Sequence, residues 1–89
     1  MSRTLVPSNQ FKRDVKKQWE ILLTEEWTDV SWCLIHDEPM AEKYRDHQLT
    51  GNLKDYRECH IKPDLLLLYW VEDNEVKLAR LGTHSELFR

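Results

Sequence analysis

Residues 56–70, YRECHIKPDLLLLYW, decide the fold, because they contain the two central strands of the predicted sheet. The alternating segment 53–61 predicts a strand, and the turn at residues 62–64 joins it to a second strand at 65–71. The near-continuous apolar character of the second strand indicates a central strand covered on both faces. In the first strand, one predicted face carries Arg57, Cys59 and Ile61, and the other carries Tyr56, Glu58 and His60.

The segments around this hairpin extend it into a domain. Residues 76–81 predict a third strand that ends at Gly82, with Val76, Leu78 and Arg80 on one face. Residues 3–6 suit a short edge strand, and Ser8 suits the start of a helix. The apolar stripe on one face of this first predicted helix is formed by Phe11, Val15, Trp19, Leu22 and Leu23. A second stripe is formed by Trp27, Val30, Leu34 and Ile35 and ends at residues 37–39. Residues 40–52 read as a polar connector, with Gly51 as the turn residue before the sheet.

The predicted order is therefore β-α-α-β-β-β in a single domain, residues 1–89. Its class is α+β, with an N-terminal helical hairpin packed on one face of a small mainly antiparallel sheet. Trp19 and Trp27 are expected to pack within the hairpin, while Trp32 lies off the stripe and is expected to be partly exposed. The second face of the sheet is left open for polar side chains such as His60, Glu58 and Arg80.

Composition limits the function. The chain has 89 residues and a net charge of -3, with 33% charged residues, which argues against indiscriminate nucleic-acid binding but leaves room for a local basic site. The two cysteines, Cys33 and Cys59, are too few for a disulfide scaffold and indicate free thiols in a reducing compartment. No signal-peptide-like run or membrane-spanning stretch is present, so a cytoplasmic protein without a membrane partner is expected.

Five polar residues are expected to meet at one end of the sheet: His47, His60, Asp64, Arg80 and His84. Two histidines, a carboxylate and a guanidinium suit phosphodiester cleavage, because histidine, with an ordinary pKa of about 6.5, serves as acid or base near neutral pH. RNA supplies its own nucleophile, the 2′-hydroxyl. The same residues also have non-catalytic explanations: the histidines fit solvated surface residues, Asp64 fits a turn residue, and Arg80 fits an ion pair with Glu58. A metal site is not expected, because the histidines lack the short ligand spacing of zinc motifs.

Two blocks of sequence resemble a known family. YRDHQLTGNLKDYRECHIKPDLLLLYW, residues 44–70, and LARLGTHSELF, residues 78–88, are similar to the YafQ-like branch of the RelE/ParE toxin superfamily. The branch pattern runs D-H-x-L-x-G, then Y-R-[ED]-x-H-[IV]-x-P-D, an apolar strand, and R-[TL]-G-[ST]-H-x-x-L-F. All three motifs occur in order and together cover the C-terminal half of the chain.

This resemblance implies a ribosome-dependent mRNA interferase, the toxin of a type II toxin–antitoxin pair, that cleaves RNA without a metal or other cofactor. It implies His84 as general acid, Arg80 as phosphate clamp, Asp64 or His47 as base, and His60 as an orienting or proton-sharing group. Phe88 matches the aromatic residue near the substrate base, and Glu58 stands where the family has an acid. The partners implied are a cognate antitoxin, the ribosome, mRNA, and operator DNA only through the antitoxin.

The chain also departs from the family. Leu65 replaces a tryptophan that some members carry, so one base-stacking contact is not expected here. Because the net charge is acidic, contacts to ribosomal RNA are assigned to local basic residues. These are Lys54, Arg57 and Lys62. The helix face of Lys12, Arg13, Lys16 and Lys17 is a further candidate, although these four residues fit a solvated helix face at least as well. Two alternatives stay open: a ParE-like toxin that acts on a topoisomerase without cutting RNA, and an inactive homologue that serves as antitoxin-binding co-repressor.

Overall fold

A computed structural model describes residues 2–88 and has five strands and three helices. The strands are β1 (Thr4–Pro7), β2 (His47–Gln48), β3 (Arg57–Lys62), β4 (Leu65–Glu72) and β5 (Glu75–Gly82), and the helices are α1 (Asn9–Lys16), α2 (Glu25–His36) and α3 (His84–Leu87). Short 3-10 turns occupy Trp19–Leu23, Glu42–Tyr44 and Gly51–Leu53. No helix among these residues is long and apolar enough to cross a membrane.

The five strands form one sheet in the order β1-β5-β4-β3-β2. Only the β1–β5 pair is parallel, and all other pairs are antiparallel. The predicted α+β class, the mainly antiparallel sheet and the central position of the apolar strand are confirmed. The parallel pairing arises because the chain leaves β1 through α1 and α2 before it builds the antiparallel strands.

Strand β5 contains a bulge that the sequence pattern does not reveal. Leu78 pairs with Tyr69, but Arg80 pairs with Leu68, so Ala79 is an extra residue without a partner in β4. Val76 and Leu78 lie in the core cluster and so does Leu81, whereas Arg80 faces the other side. The prediction that Val76, Leu78 and Arg80 share one face is therefore wrong, because the bulge inverts the alternation.

Both main helices start at capping side chains. The Ser8 hydroxyl accepts a hydrogen bond from the Phe11 N–H at 3.0 Å, and the Thr24 hydroxyl accepts one from the Trp27 N–H at 3.2 Å. Helix α2 ends at His36 and is capped by Asp37, which adopts the left-handed conformation with φ 53°. Phe11 of α1 and Trp27 of α2 pack with ring centroids 6.3 Å apart, as predicted for the hairpin, and Trp32 is exposed as expected.

The predicted first helix is too long. Helix α1 stops at Lys16, and residues 19–23 turn with the tighter 3-10 period, which moves side chains out of the stripe extrapolated from an α-helix. Ile21 is buried, while Trp19 and Leu22, expected in the packed stripe, are exposed by 55% and 38%. Leu23 is exposed as well.

The connector at residues 40–52 also differs from its prediction. It contributes β2, which pairs with β3 at the edge of the sheet through His47 opposite Glu58. Gly51 has the positive φ of 67° expected for a turn residue. Strand β3 begins only at Arg57 because residues 51–53 form a 3-10 turn. The structure thus adds an edge strand that carries a candidate site residue.

Candidate active site

One row of cross-strand neighbours runs across the face of the sheet opposite the main core. His47 pairs with Glu58, Glu58 with Leu68, and Leu68 with Arg80. Directly paired residues of antiparallel strands project from the same face, so this row presents three polar side chains around an apolar floor. His60 lies in the adjacent row, opposite Leu66.

The Glu58 carboxylate lies between two imidazoles. Its Oε1 atom is 3.7 Å from Nε2 of His47 and 3.4 Å from Nε2 of His60. Glu58 is only 7% exposed, whereas the His47 side chain is half exposed. A buried carboxylate needs polar partners, and these imidazoles supply them. The Glu58 carboxylate therefore lies close enough to both imidazoles to offset positive charge on either ring.

The other ring nitrogen of each histidine faces a backbone carbonyl. Nδ1 of His47 lies 2.7 Å from the Arg45 carbonyl oxygen, and Nδ1 of His60 lies 3.4 Å from that of Pro63. Because a carbonyl oxygen only accepts, a hydrogen bond here requires the proton on Nδ1. Each ring is thereby held with Nε2 facing the Glu58 carboxylate.

Arg80 is held by Asp14 of α1. Its Nε donates to Oδ2 of Asp14 at 2.9 Å and its Nη2 approaches Oδ1 at 3.3 Å, while the Leu81 N–H also donates to Oδ2 at 2.9 Å. Strand β1 ends opposite Leu78, so beyond that point α1 replaces a neighbouring strand along β5. Gln18 completes the replacement by donating to the Leu81 carbonyl at 3.2 Å. The two hydrogen bonds from the Arg80 guanidinium to the Asp14 carboxylate fix the orientation of the guanidinium.

The pKa of the Asp14 carboxyl reflects this position. Burial, the largest single influence, raises the pKa, but hydrogen bonds from Arg80, the Leu81 N–H and Gln10 outweigh it, and the net pKa lies below the ordinary 3.8. A carboxyl whose pKa is lower in the folded than in the unfolded chain stabilises the fold above the unfolded pKa. That contribution disappears as the pH falls through the folded pKa.

We therefore expect the stability difference between the wild type and Asp14→Asn to depend on pH. At pH 5 to 7 the wild type should be more stable, and the difference should shrink as the pH falls below about 4, where the unfolded carboxyl takes up its proton. Urea unfolding of both chains between pH 2.5 and pH 6 measures this. Parallel pH profiles for the two chains would contradict the role given to the ionised carboxylate, and the comparison cancels the titration of all other acids.

Helix α3 begins with His84 and is followed by Phe88. Thr83 caps this helix by accepting from the Glu86 N–H at 3.2 Å, while the Glu86 carboxylate accepts from the Thr83 N–H at 2.8 Å. Gly82 lets the helix lie close to β5, since a Cβ there would meet the Glu86 carboxylate at 2.9 Å. The His84 ring is exposed and lies 5.0 Å from the Phe88 ring, centroid to centroid. Their pairing leaves both rings available to a ligand.

The remaining predicted site residues are distributed differently. Asp64 is exposed in the turn between β3 and β4, and Lys54 is exposed after a 3-10 turn. The Lys62 ammonium pairs with Glu26 of α2 at 3.0 Å. Arg57 is engaged within the protein: its Nη2 donates to Asp46 at 3.1 Å and its Nε donates to the Tyr69 hydroxyl at 3.3 Å. Of the three predicted RNA-binding cations, Arg57 is thus the one most committed to internal contacts.

The sequence reasoning did not single out Asp14. One signal was available, because Asp14 is the acid within the basic segment that holds Lys12, Arg13, Lys16 and Lys17. It also falls three residues after Phe11 and directly before Val15, on the apolar side of the helix. A carboxylate at a buried helix position needs a cationic or N–H partner, so the pattern indicates an unidentified contact.

The fold and the polar face together define a RelE-like toxin domain, and comparison with known proteins specifies the family. The family model described as bacterial toxin of type II toxin-antitoxin system, YafQ, matches residues 3–89. The chain belongs to this family. The mRNA interferase toxin YafQ of Escherichia coli strain B/BL21-DE3 is 33% identical over 95 residues, covering 99% of this chain and 98% of the relative.

Solved structures agree with this assignment. A metal-bound toxin from Helicobacter pylori is 44% identical and superposes with a TM-score of 0.85, covering 97% of this chain and 99% of that chain. The toxin in the Escherichia coli DinJ-YafQ toxin–antitoxin complex is 32% identical, with a TM-score of 0.83 and full coverage of both chains. The fold of this chain is therefore that of YafQ toxins.

The metal of the Helicobacter pylori toxin raises the question of a metal site in this chain. Within residues 2–88, no group of three or more His, Cys, Asp or Glu side chains is arranged to hold a metal ion.

Proposed function

We propose that this protein is a ribosome-dependent mRNA endoribonuclease, the toxin of a type II toxin–antitoxin pair that acts in the cytoplasm. Membership of the YafQ family, whose Escherichia coli relative is named an mRNA interferase toxin, is the observation that carries the proposal. The acid–base face formed by His47, Glu58, His60 and Arg80 supports it, because these are the groups that RNA cleavage through the 2′-hydroxyl requires.

The first step is removal of the proton from the 2′-hydroxyl, and we assign it to His47. His47 presents Nε2 at the site while its Nδ1 is held at 2.7 Å from a carbonyl oxygen, and Glu58, with Oε1 3.7 Å from the same Nε2 atom, offsets the imidazolium charge. Asp64, the other candidate base, lies exposed in a turn. The freed 2′-oxygen attacks the adjacent phosphorus. His60, on the far side of Glu58, holds the carboxylate in place and shares its charge.

The second step breaks the bond between phosphorus and the 5′-oxygen. His84 donates a proton to that leaving oxygen, which gives a 5′-hydroxyl and a 2′,3′-cyclic phosphate. Arg80, aimed by Asp14, binds the phosphoryl oxygens and stabilises the negative charge that develops on them. Phe88, paired with His84, packs against a substrate base.

The partner of the free toxin is a cognate antitoxin. A relative with full coverage of this chain was solved in a toxin–antitoxin complex, which supports the same pairing here. Operator DNA is contacted through the antitoxin, and the mRNA is presented by the ribosome. The single RelE-like domain of residues 1–89 carries all of these interactions.

Primer extension on a reporter mRNA tests the proposal. After brief expression of the chain, discrete cleavage sites are expected in translated message and not in the same message with its start codon removed. Co-expression of the antitoxin should abolish both cleavage and growth arrest. Growth arrest with intact message would support a topoisomerase-directed toxin instead, and antitoxin binding without toxicity would support an inactive co-repressor.

A further inference from the structure

A pocket of about 350 Å³ opens beside the candidate active site. His60 forms part of its wall, and its other polar lining includes Lys43, Arg45, Lys62 and Glu26. We call this the basic pocket. Its volume lies in the range of small-ligand sites, about 300–1,000 Å³. Because His60 borders both the basic pocket and Glu58, a group bound in the pocket lies next to the reacting phosphate.

The cations of the basic pocket outnumber its acid by three to one. Glu26 is paired with Lys62 at 3.0 Å, which leaves two positive charges without a carboxylate partner. The Lys43 ammonium lies over the Tyr44 ring, 5.1 Å from its centroid, and the Arg45 guanidinium has no hydrogen bond or ion pair to another side chain of residues 2–88. This local positive charge stands out in a chain whose net charge is -3. This positive charge favours the binding of an anion in the pocket.

Arg45 connects the basic pocket to the base of the proposed reaction. Its backbone lies in the left-handed region with φ 49°, and in this conformation its carbonyl accepts from Nδ1 of His47. A residue other than glycine is uncommon there and is held by its surroundings. The same residue therefore orients His47 through its backbone and presents a guanidinium to the pocket through its side chain.

We propose that the basic pocket binds a backbone phosphate of the message, on a nucleotide next to the cleaved bond, through Arg45 and Lys43. This inference rests on the proposed function and deepens it. A phosphate of ribosomal RNA has the same chemistry, but the message is favoured because His60 lines the pocket and also contacts Glu58 of the proposed reaction site.

Binding of a 2′-O-methyl RNA hexanucleotide to the free protein, measured by fluorescence anisotropy at several salt concentrations, tests the proposal. The blocked 2′-oxygen prevents cleavage. Arg45→Asn removes the charge while keeping a residue that tolerates the left-handed conformation, and Lys43→Gln removes the second cation. Each is expected to weaken binding about 3- to 10-fold and to reduce the slope of log K against log salt by about 0.7.

Lys77→Gln is the matched control, because it removes one lysine charge at a position outside the pocket, where the ammonium pairs with Glu75 at 2.6 Å. It should bind like the wild type. Unchanged binding in both pocket variants, or a wild type that does not bind the oligonucleotide, would overturn the proposal. So would pocket variants that lose affinity only for ribosomes without message, which would assign the site to ribosomal RNA. Failure of the wild type to cut mRNA would instead refute the proposed function, whatever the binding result.

Discussion

His84→Ala is expected to lower the rate of mRNA cleavage by about 10²- to 10⁴-fold, the usual contribution of a general acid. Without the imidazole, the 5′-oxygen must leave without a proton. The fold should be retained, because His84 is exposed and its substitution removes no buried contact. The free energy of unfolding should change by no more than about 0.5 kcal/mol. Single-turnover cleavage on programmed ribosomes, with urea unfolding of the same samples, measures both quantities.

Ser85→Ala is the control for His84→Ala, since Ser85 is the exposed neighbour on the same helix. The wild type should show a bell-shaped dependence of cleavage on pH, and His84→Ala should lose the alkaline limb, which reports loss of the proton from the general acid. A flat profile for the wild type would exclude this acid–base mechanism. An unchanged cleavage rate in His84→Ala would move the acid role to another residue.

Arg80→Ala is expected to lower cleavage by about 10²- to 10³-fold, because a charged donor aimed at the transition-state phosphate is lost. Unlike His84→Ala, it should also lower stability. Asp14 is 6% exposed and would lose two of its hydrogen bonds, which costs about 1.5–3 kcal/mol for a charged acceptor. Cleavage on programmed ribosomes and urea unfolding again measure the two effects separately.

Two further variants separate the effect of the Arg80 charge from the effect of the orientation of its side chain. Arg80→Lys keeps the charge but lacks the fork that matches the Asp14 carboxylate, so a loss of at least about tenfold in cleavage is expected. Asp14→Asn keeps Arg80 but weakens the hydrogen bonds that orient it. This variant should lower the rate of cleavage less than Arg80→Ala does. If all three variants lost stability but cut mRNA at the wild-type rate, Arg80 would have a structural role only.

The sheet was predictable because its strands carry strong local signals. The alternating residues of β3, the apolar run of β4 and the turn between them specify a hairpin whatever surrounds it. The same alternation placed Glu58 and His60 together on one face, and the structure brings both to within ion-pair distance of each other. The identity of the chemistry required the resemblance to a family, because isolated histidines carry no such information.

Features that depend on contacts between distant segments were not predictable. The bulge at Ala79 follows from how β5 meets β4 and the start of α1, where the Ser8 hydroxyl donates to the Ala79 carbonyl at 2.8 Å. The Asp14–Arg80 pair joins residues 66 positions apart. Strand β2 has two residues and too short a pattern to recognise. The 3-10 turn after α1 was not predicted, because the spacing of the apolar residues does not show where the helical period changes.

The parallel pairing of β1 with β5 has a consequence for how the protein is made. During synthesis, Thr4–Pro7 and Asp14 are produced long before their partners in β5, so a growing chain holds an unpaired strand and an unpaired carboxylate. Arg80 acquires its direction only after Asp14, Leu81 and the bulge have come together. In a nascent chain, therefore, no guanidinium is oriented by Asp14 until β5 has been translated and has closed the sheet.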